Sequence, residues 1–245
     1  MTLPPLSPNA WLRWDLVSRL LPDTPCDALE IGCGQGGFAA RLARRYRYVG
    51  LEPDTLSYEV ARQRLAAAGG NGEVRNGDVS SLRPDERFDV ICAFEVIEHI
   101  EDDEKALTEW AYRLRSGGYL VLSTPGFQHR FGPADEMAGH FRRYDPPVLV
   151  QLLGRAGLED VVVRQFGGPL GYVLEFARNQ IAVRWSAAKW EASMTDRTRG
   201  SGRLLQPSSI PQGYVTEFGT LPFRLLQRAF PNHGPGLVAC GRAPA

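Results

Sequence analysis

The feature that most constrains the fold is a short apolar run at residues 28–31, which contains Glu30 and leads at once into the alternating glycines Gly32, Gly34 and Gly36. Glycine has no Cβ and adopts positive φ readily, so these positions let the backbone turn sharply after a strand and let a ligand approach closely. The pattern predicts a buried strand followed by a ligand-binding loop. Glu30 would repel a pyrophosphate at this loop, whereas it would attract an ammonium group.

The composition predicts one domain with elaborations. The 245 residues are 43% hydrophobic, and 28 basic residues balance 28 acidic ones. This balance gives no bulk electrostatic support for binding to nucleic acid or to an anionic membrane. The cysteines at positions 26, 33, 92 and 240 form no CxxC pair. The first residues do not have the pattern of a secretory signal. No apolar run approaches the ~18 residues that are needed to span a bilayer. We therefore expect reduced thiols and a cytoplasmic protein.

Strand-like and helix-like patterns alternate along the chain. Strands are predicted at residues 26–31, 48–52, 73–76, 88–94, 119–124, 157–163 and 236–241, and helices at 8–21, 38–45, 54–68, 102–114, 149–156, 170–192 and 223–230. Alternation at this spacing predicts a parallel sheet with right-handed crossovers and helices on both faces. The first helix either covers one face of the sheet or forms a lid over the glycine loop, with Arg13 available to a ligand carboxylate.

Two further acids follow predicted strand ends. Glu52 ends the second strand 20 residues after Gly32, where an acid hydrogen-bonds ribose hydroxyls in nucleotide-binding βαβ units. Asp78 follows the third strand and is either an acceptor for an exocyclic amine or a turn aspartate without a ligand. A dinucleotide-dependent oxidoreductase shares the glycines and the second acid, but its loop holds a pyrophosphate at a helix N-terminus, where Glu30 is unfavourable.

Six motifs occur in the order and at the spacing of a known family. They are residues 30–36 (Glu-Ile-Gly-Cys-Gly-Gln-Gly), 50–54 (Gly-Leu-Glu-Pro-Asp), 77–79 (Gly-Asp-Val), 88–91 (Phe-Asp-Val-Ile), 95–99 (Glu-Val-Ile-Glu-His) and 114–120 (Leu-Arg-Ser-Gly-Gly-Tyr-Leu). Over residues 26–165 the chain resembles the class I S-adenosylmethionine-dependent methyltransferases, in particular a type 11/12-like, small-molecule branch. The resemblance implies an α/β fold with a Rossmann-like, seven-stranded, mostly parallel sheet, an antiparallel last strand and a helical insertion before that strand.

The resemblance also implies S-adenosylmethionine as the cofactor. Glu30 and the glycine loop would face its methionine part, Glu52 its ribose, and Asp78 with Val79 and Phe94 its adenine. Together with Arg13 on the first helix, the predicted cofactor-binding set is Arg13, Glu30, Gly32, Cys33, Gly34, Gly36, Glu52, Pro53, Asp78, Val79 and Phe94.

Candidates for catalysis follow the fourth and fifth strands. Glu95, Glu98 and His99 form an E-x-x-E-H group, and His140 comes after the fifth strand. Two carboxylates and two imidazoles suit magnesium, manganese or zinc. The pattern is similar to small-RNA 3′-end 2′-O-methyltransferases and polyhydroxybenzoate O-methyltransferases, in which such residues bind a divalent metal. A metal-free general base, His140 or His99, and purely structural histidines stay open as alternatives.

The chain departs from the minimal pattern after residue 168. We predict a cofactor-binding core with the N-terminal helix at 1–168, a substrate-side insertion or lid at 169–232 and a closing strand of the core at 233–245. Residues 170–192 would form a basic, aromatic amphipathic helix that touches a membrane surface, walls a substrate pocket or packs on the domain. Residues 195–212 are predicted to form a loop.

The sequence therefore predicts an S-adenosylmethionine-dependent methyltransferase that acts on a small or lipid-like acceptor, most simply at oxygen. Arg142 and Arg143 either bind an anionic substrate or belong to a solvated face. An RNA 3′-end 2′-O-methyltransferase is the alternative enzyme, but the chain has neither a dense basic stripe nor an aromatic stacking platform. A non-catalytic, cofactor-binding regulatory or partner protein is the alternative from another class. The sequence does not predict the identity of the acceptor or the oligomeric state.

Overall fold

The computed structural model of the chain describes residues 3–189, 207 and 209–245. Within these residues one sheet contains seven strands: β1 (Asp27–Ile31), β2 (Arg47–Glu52), β3 (Gly72–Asn76), β4 (Phe88–Phe94), β5 (Leu114–Pro125), β6 (Glu159–Phe166) and β7 (Gly236–Arg242). Their order across the sheet is β3-β2-β1-β4-β5-β7-β6. All pairs from β3 to β5 are parallel, and β7 is antiparallel to both β5 and β6. The predicted fold class, including the antiparallel last strand, is confirmed.

Helices cover both faces of this sheet. In the described part of the chain they are α1 (Pro8–Leu20), α2 (Ala39–Leu42), α3 (Thr55–Ala68), α4 (Asp103–Tyr112), α5 (Pro133–Ala138), α6 (Pro146–Arg155), α7 (Leu170–Lys189) and α8 (Ile210–Ala229). Local signals account for several of their ends. Ser7 caps α1 with its side chain and Pro8 opens it. Asp54 caps α3, and Gly69 ends that helix in the left-handed conformation.

Strand β4 shows how the core is divided between the two faces. Val90 and Cys92 pack into a cluster with residues of α1, α2 and α3, while Ile91 and Ala93 pack into a second cluster with residues of α4 and α6. All four side chains are buried. A parallel strand that is covered on both faces is continuously apolar, which is the pattern from which this strand was predicted.

The predicted boundaries are wrong in the C-terminal insertion. The helix predicted at 223–230 begins at Ile210, so residues 210–212 of the predicted loop are helical, while residues 195–206 and 208 of that loop lie outside the described residues. Two glycines and Pro222 inside α8 disfavour a helix locally. Contacts with the N-terminal region compensate: Thr216 donates to the Leu6 carbonyl at 2.9 Å, and Gln227 donates to the Leu12 carbonyl at 2.9 Å.

Other elements differ in length from their predictions. Helix α2 is shorter than predicted, β5 begins earlier at Leu114, and α5 was not predicted at all. Helix α7 confirms the helical part of the predicted amphipathic segment up to Lys189, whereas residues 190–192 lie outside the described residues. In the part of the chain that the structure describes, the helices lack the combination of length and apolar character that crossing a membrane requires.

Candidate functional site

The carboxyl ends of the central strands open into a cavity of about 920 Å³. We call the part formed by Glu30, Gly32, Gly34 and Glu52 the glycine-loop end. The part formed by residues after β4 and β5 and by α7 is the histidine end, and its polar lining residues include Glu95, His99, Asp135, His140, Arg143, Glu175 and Arg178. Arg13 of α1 lines the same cavity, so both predicted groups of site residues share one space.

The three loop glycines have positive φ values of 66°, 55° and 76° at Gly32, Gly34 and Gly36. Their surroundings nevertheless differ. A Cβ on Gly36 would lie 3.0 Å from the Cα of Ala61 in α3, whereas a Cβ on Gly34 would meet no protein atom within 4 Å. Gly34 lines the cavity and Gly36 does not. Gly36 therefore allows close packing of the loop on α3, and Gly34 leaves space open to the cavity.

Glu30 is only 3% exposed and receives a hydrogen bond from the Tyr48 hydroxyl across 2.6 Å. Burial raises the pKa of the Glu30 carboxyl to about 8, and the nearby Glu52 adds to this, while the Tyr48 hydrogen bond opposes it. Room for the tyrosine ring depends on Gly50, because a Cβ there would lie 2.4 Å from the Tyr48 hydroxyl oxygen. At pH 7 the acid that was predicted to attract a cation is thus largely protonated, unless a cationic ligand group compensates for its burial.

Glu52 is held in place by two backbone amides. Gly34 donates to one carboxylate oxygen at 2.8 Å and Asp54 to the other at 2.9 Å. Burial raises the pKa of this carboxyl, although the two amides oppose the rise. Pro53 beside it also lines the cavity. The second-strand acid therefore ties the glycine loop to the end of β2 with its side chain at the cavity wall.

The three residues predicted to contact an adenine occupy different places. Phe94 lines the cavity and packs edge-on against Phe38, with ring centroids 5.0 Å apart. Asp78 is exposed and accepts from the Ser80 amide at 2.9 Å, and Val79 is buried in the core. Neither Asp78 nor Val79 lines the cavity. Their proposed contact with adenine stays a prediction.

Arg13 pairs with Glu95 at the cavity wall, and its contact with a ligand carboxylate stays a prediction. Its guanidinium lies 3.0 Å from Glu95 Oε2, and Ser123 donates to Glu95 Oε1 at 3.2 Å. Glu95 has a positive φ of 57° directly after β4. The salt bridge ties α1 to the end of the fourth strand, across the cavity wall.

Glu98, His99 and His140 converge at the histidine end. The two imidazole centroids are 4.6 Å apart in an edge-to-face arrangement, and one ligand atom from each of the three residues lies within 4.8 Å of the others. Both Glu98 oxygens and His99 Nδ1 are buried and have no hydrogen-bond partner among the described residues. Three of the four predicted metal ligands are therefore adjacent. Glu95 is not part of that cluster.

Burial disfavours charge in this cluster. It raises the pKa of the Glu98 carboxyl well above its ordinary value, and the neighbouring Glu95 reinforces the rise. Burial, together with repulsion from a charged His140, lowers the pKa of His99 to about 4. Both groups are consequently neutral near pH 7 unless a cation or a ligand group compensates for their burial.

His140 is oriented by Asp135. Its Nδ1 lies 2.8 Å from Asp135 Oδ1, which leaves Nε2 free of this contact. Burial would raise the pKa of Asp135, but hydrogen bonds from His140 and Arg143 outweigh it and bring the pKa to about 2. An ionised Asp135 accepts a hydrogen bond from Nδ1–H and so favours the tautomer in which Nε2 is free to take up a proton. The pair has the arrangement of a general base and its orienting carboxylate.

Three ion pairs surround the His140–Asp135 pair. Arg143 donates to both Asp135 and Glu175, the latter at 2.8 Å, and Arg130 also donates to Glu175 at 3.0 Å. Arg143 is 7% exposed, so it is not part of a solvated face. Its neighbour Arg142 points away and pairs with Asp103 at 2.8 Å.

Residues 29–122 match the sequence model of the family described as "Methyltransferase domain". The matched residues run from β1 into β5 of the seven-stranded sheet. Residues 29–122 therefore contain a methyltransferase domain. The domain is 34% identical over 140 residues to a probable S-adenosylmethionine-dependent methyltransferase of Mycolicibacterium smegmatis, a stretch covering 54% of this chain and 52% of the relative. A relative with the same description from Mycobacterium tuberculosis is 34% identical over 178 residues, covering 69% of this chain and 63% of the relative. The chain thus spans between about half and two thirds of the length of these relatives.

Two further similarities concern oxygen chemistry and the fold. A ubiquinone biosynthesis O-methyltransferase of Bradyrhizobium is 32% identical over 97 residues, which covers 39% of this chain and 38% of that relative. The crystal structure of the [4+2]-cyclase SpnF superposes with a TM-score of 0.63 at 20% identity, covering 97% of this chain and 81% of that one. Because a cyclase shares this fold, the fold alone does not identify the reaction.

Sequence reasoning missed three side chains of the methyltransferase domain that act on predicted residues. Tyr48 supports Glu30, Asp135 orients His140, and Glu175 anchors Arg143. The tyrosine had a local signal, since a large polar aromatic stood two residues before Gly50 in an otherwise apolar strand. Asp135 and Glu175 had no local sequence signal, because each reaches its partner only after the chain folds.

Proposed function

We propose that the chain is an S-adenosylmethionine-dependent methyltransferase that acts on a hydroxyl group of a small or lipid-like acceptor. The observation that carries this proposal is the single cavity shared by the glycine loop and the His140–Asp135 pair. Methyl transfer requires donor and acceptor to be held in line in one space, and holding them there supplies much of the rate enhancement.

The glycine-loop end has the features that this cofactor requires. Glu30 is a buried acid whose ionised form needs a cationic neighbour, and the cofactor's ammonium group is such a neighbour. Glu52 faces the cavity with a carboxylate that two backbone amides hold in place. This carboxylate would accept hydrogen bonds from the ribose hydroxyls of the cofactor. The space beside Gly34 admits a ligand close to the backbone. S-adenosylmethionine, when bound, supplies an electrophilic methyl group.

Proton removal is the chemistry that the chain must provide for a hydroxyl acceptor. We assign it to His140, whose Nε2 takes the acceptor's proton while Asp135 holds the Nδ1 proton and balances the charge on the ring. A positioned general base of this kind contributes about 10²–10⁴-fold to a rate. The similarity to an O-methyltransferase of ubiquinone biosynthesis supports oxygen as the methylated atom.

A second candidate mechanism involves a divalent metal held by Glu98, His99 and His140. The supporting observation is that both Glu98 oxygens and His99 Nδ1 are buried without partners among the residues that the structure describes. These oxygen and nitrogen donors suit magnesium, manganese or zinc. A bound ion would lower the pKa of an acceptor hydroxyl. Asp135 would then orient a metal ligand, as carboxylates commonly do for ligating histidines.

Calorimetry tests the first step. Titration with S-adenosylmethionine and with S-adenosylhomocysteine should show binding of both, and binding of neither would overturn the proposal. A cell extract incubated with the protein and methyl-labelled cofactor should then give a labelled product in the small-molecule or lipid fraction. Label confined to RNA would favour the alternative RNA enzyme. Cofactor binding without any labelled product would favour the non-catalytic alternative.

A further inference from the structure

Among the described residues, Arg178 at the histidine end makes no ion pair with a carboxylate. It lies on α7, lines the cavity, and its Nε is buried without a hydrogen-bond partner among the described residues. Glu175 is three residues earlier on the same helix and is the natural intrahelical partner for an arginine at this spacing. Glu175, however, has one oxygen on Arg143 and the other on Arg130. Among the described residues its carboxylate pairs with these two arginines and not with Arg178.

The other carboxylates that line this end also have partners other than Arg178. Glu95 has one oxygen on Arg13 and the other on Ser123. Asp135 accepts from His140, from Arg143 and from the amide of Gly132. Within the described residues, every other guanidinium at this end is therefore matched by a carboxylate, and Arg178 is not.

Glu98 does not supply the missing partner. It is 0% exposed, does not line the cavity, and makes no ion pair with Arg178. An unmatched guanidinium in a partly enclosed cavity is unfavourable by itself, and an anionic ligand group that reaches it gains a charge-assisted, two-pronged hydrogen bond.

The backbone that carries Arg178 is fixed on both sides. The Glu175 ion pairs hold α7 one turn earlier, and Asn179 Oδ1, immediately after Arg178, accepts from the Ala134 amide of α5 at 3.0 Å. The side chain thus projects from a rigid element, as a group that selects a ligand should. Neither the Glu175 ion pairs nor the Asn179 hydrogen bond involves the Arg178 side chain.

We propose that the acceptor carries a carboxylate or phosphate group in addition to the hydroxyl that is methylated, and that Arg178 binds this anion. The inference rests on the proposed methyltransferase function and narrows its substrate class to anionic hydroxyl compounds. Arg178 then determines specificity and takes no part in the transfer of the methyl group or the proton.

Calorimetry on the whole chain tests this proposal with three small probes. The protein is first titrated with S-adenosylhomocysteine, and the saturated complex is then titrated with benzoate, phenyl phosphate or benzyl alcohol. We expect at least one anion to bind at least tenfold more tightly than the alcohol, and the stronger of the two identifies carboxylate or phosphate as the preferred group. R178Q should lose at least tenfold in affinity for that anion, and R178K should retain part of it.

Arg184 provides a matched control, since it is an exposed arginine on the same helix that does not line the cavity. R184Q should bind all three probes as the unmodified protein does. The inference would be overturned if the anions bind no more tightly than the alcohol, or if R178Q binds the anions as the unmodified protein does. Binding of S-adenosylhomocysteine in the same experiment would still support the methyltransferase proposal. Absence of S-adenosylhomocysteine binding would instead remove the methyltransferase proposal, and with it the acceptor.

Discussion

Tyr48 donates its phenolic hydrogen to Glu30 across 2.6 Å, and both side chains are almost entirely buried. The contact partly offsets the burial of the acid, whose pKa nevertheless rises to about 8. The glycine-loop end therefore changes its charge near neutral pH, and a cationic ligand group favours the ionised form. This coupling links the stability of the empty protein to pH.

The first prediction concerns that linkage. Because the folded-state pKa of Glu30 is raised, its contribution to stability is full below about pH 4.5 and is lost as pH rises toward about 8. The free energy of unfolding of the empty protein should fall across this range by on the order of a few kcal/mol from this group. The free energy of unfolding of E30Q, measured by urea unfolding at several pH values, should not show this part of the decrease. E109Q changes an exposed glutamate and should have the same dependence of stability on pH as the unmodified protein. Identical pH profiles for E30Q and the unmodified protein would contradict the raised pKa of Glu30.

The second prediction separates the roles of two loop glycines. G36A places a methyl group against α3 at a positive φ, so it should destabilise the fold by more than the about 1–2 kcal/mol that a left-handed residue costs alone. G34A carries only that backbone cost, but its methyl group enters the cavity and should weaken S-adenosylhomocysteine binding by at least tenfold. Urea unfolding and calorimetry on both variants measure the two effects. Equal destabilisation by the two substitutions would argue against the packing role of Gly36.

The third prediction concerns His140. H140A should reduce kcat by about 10²–10⁴-fold, because the acceptor proton loses its base, while affinity for S-adenosylhomocysteine changes little. His129 is exposed and does not line the cavity, so H129A is a matched control with near-unchanged turnover. Steady-state assays with the acceptor found in the labelled extract provide the comparison. Full activity of H140A would exclude both the general-base and the metal-ligand role.

The fourth prediction distinguishes the metal from the free base. If Glu98, His99 and His140 hold an ion, purified protein should contain one equivalent by elemental analysis, and E98Q should lose it. E95Q is the matched control, since Glu95 lies outside the cluster and should leave metal content unchanged. A chelator should then abolish turnover, and one divalent ion should restore it. Undiminished turnover in the chelator would leave His140 acting as a free base.

Most of the sheet could be predicted from the sequence, because its signals are local. Continuous apolar runs such as β4, caps such as Ser7 and Asp54, and turns at glycine are set by neighbouring residues. Helix α8 could not be predicted in full. Its local sequence contains helix-disfavouring residues, and contacts with Leu6 and Leu12, more than 200 residues earlier, outweigh them.

The site was predicted in part for the same physical reason. Acids at strand ends and glycines in a loop can be recognised in the sequence, because strand direction and loop position place them at one edge of the sheet. The states of those side chains depend on partners from elsewhere. Arg13 was predicted to contact a ligand, and no sequence signal indicated its salt bridge with Glu95. His140 acquires its orientation from Asp135, which lies in a helix that was not predicted.

By itself, the sequence determined the order of strands and helices, the loop glycines and the set of acids and histidines that carry the chemistry, because each depends on short-range conformational preferences. Only the tertiary structure decided which of these side chains have hydrogen-bond or ion-pair partners. Burial and long-range contacts made Glu30 a weak acid supported by Tyr48, left Glu95 outside the cluster of Glu98, His99 and His140, and left Arg178 without a counterion among the described residues. Charge and proton affinity depend on the surroundings in three dimensions, and spacing along the chain does not specify them.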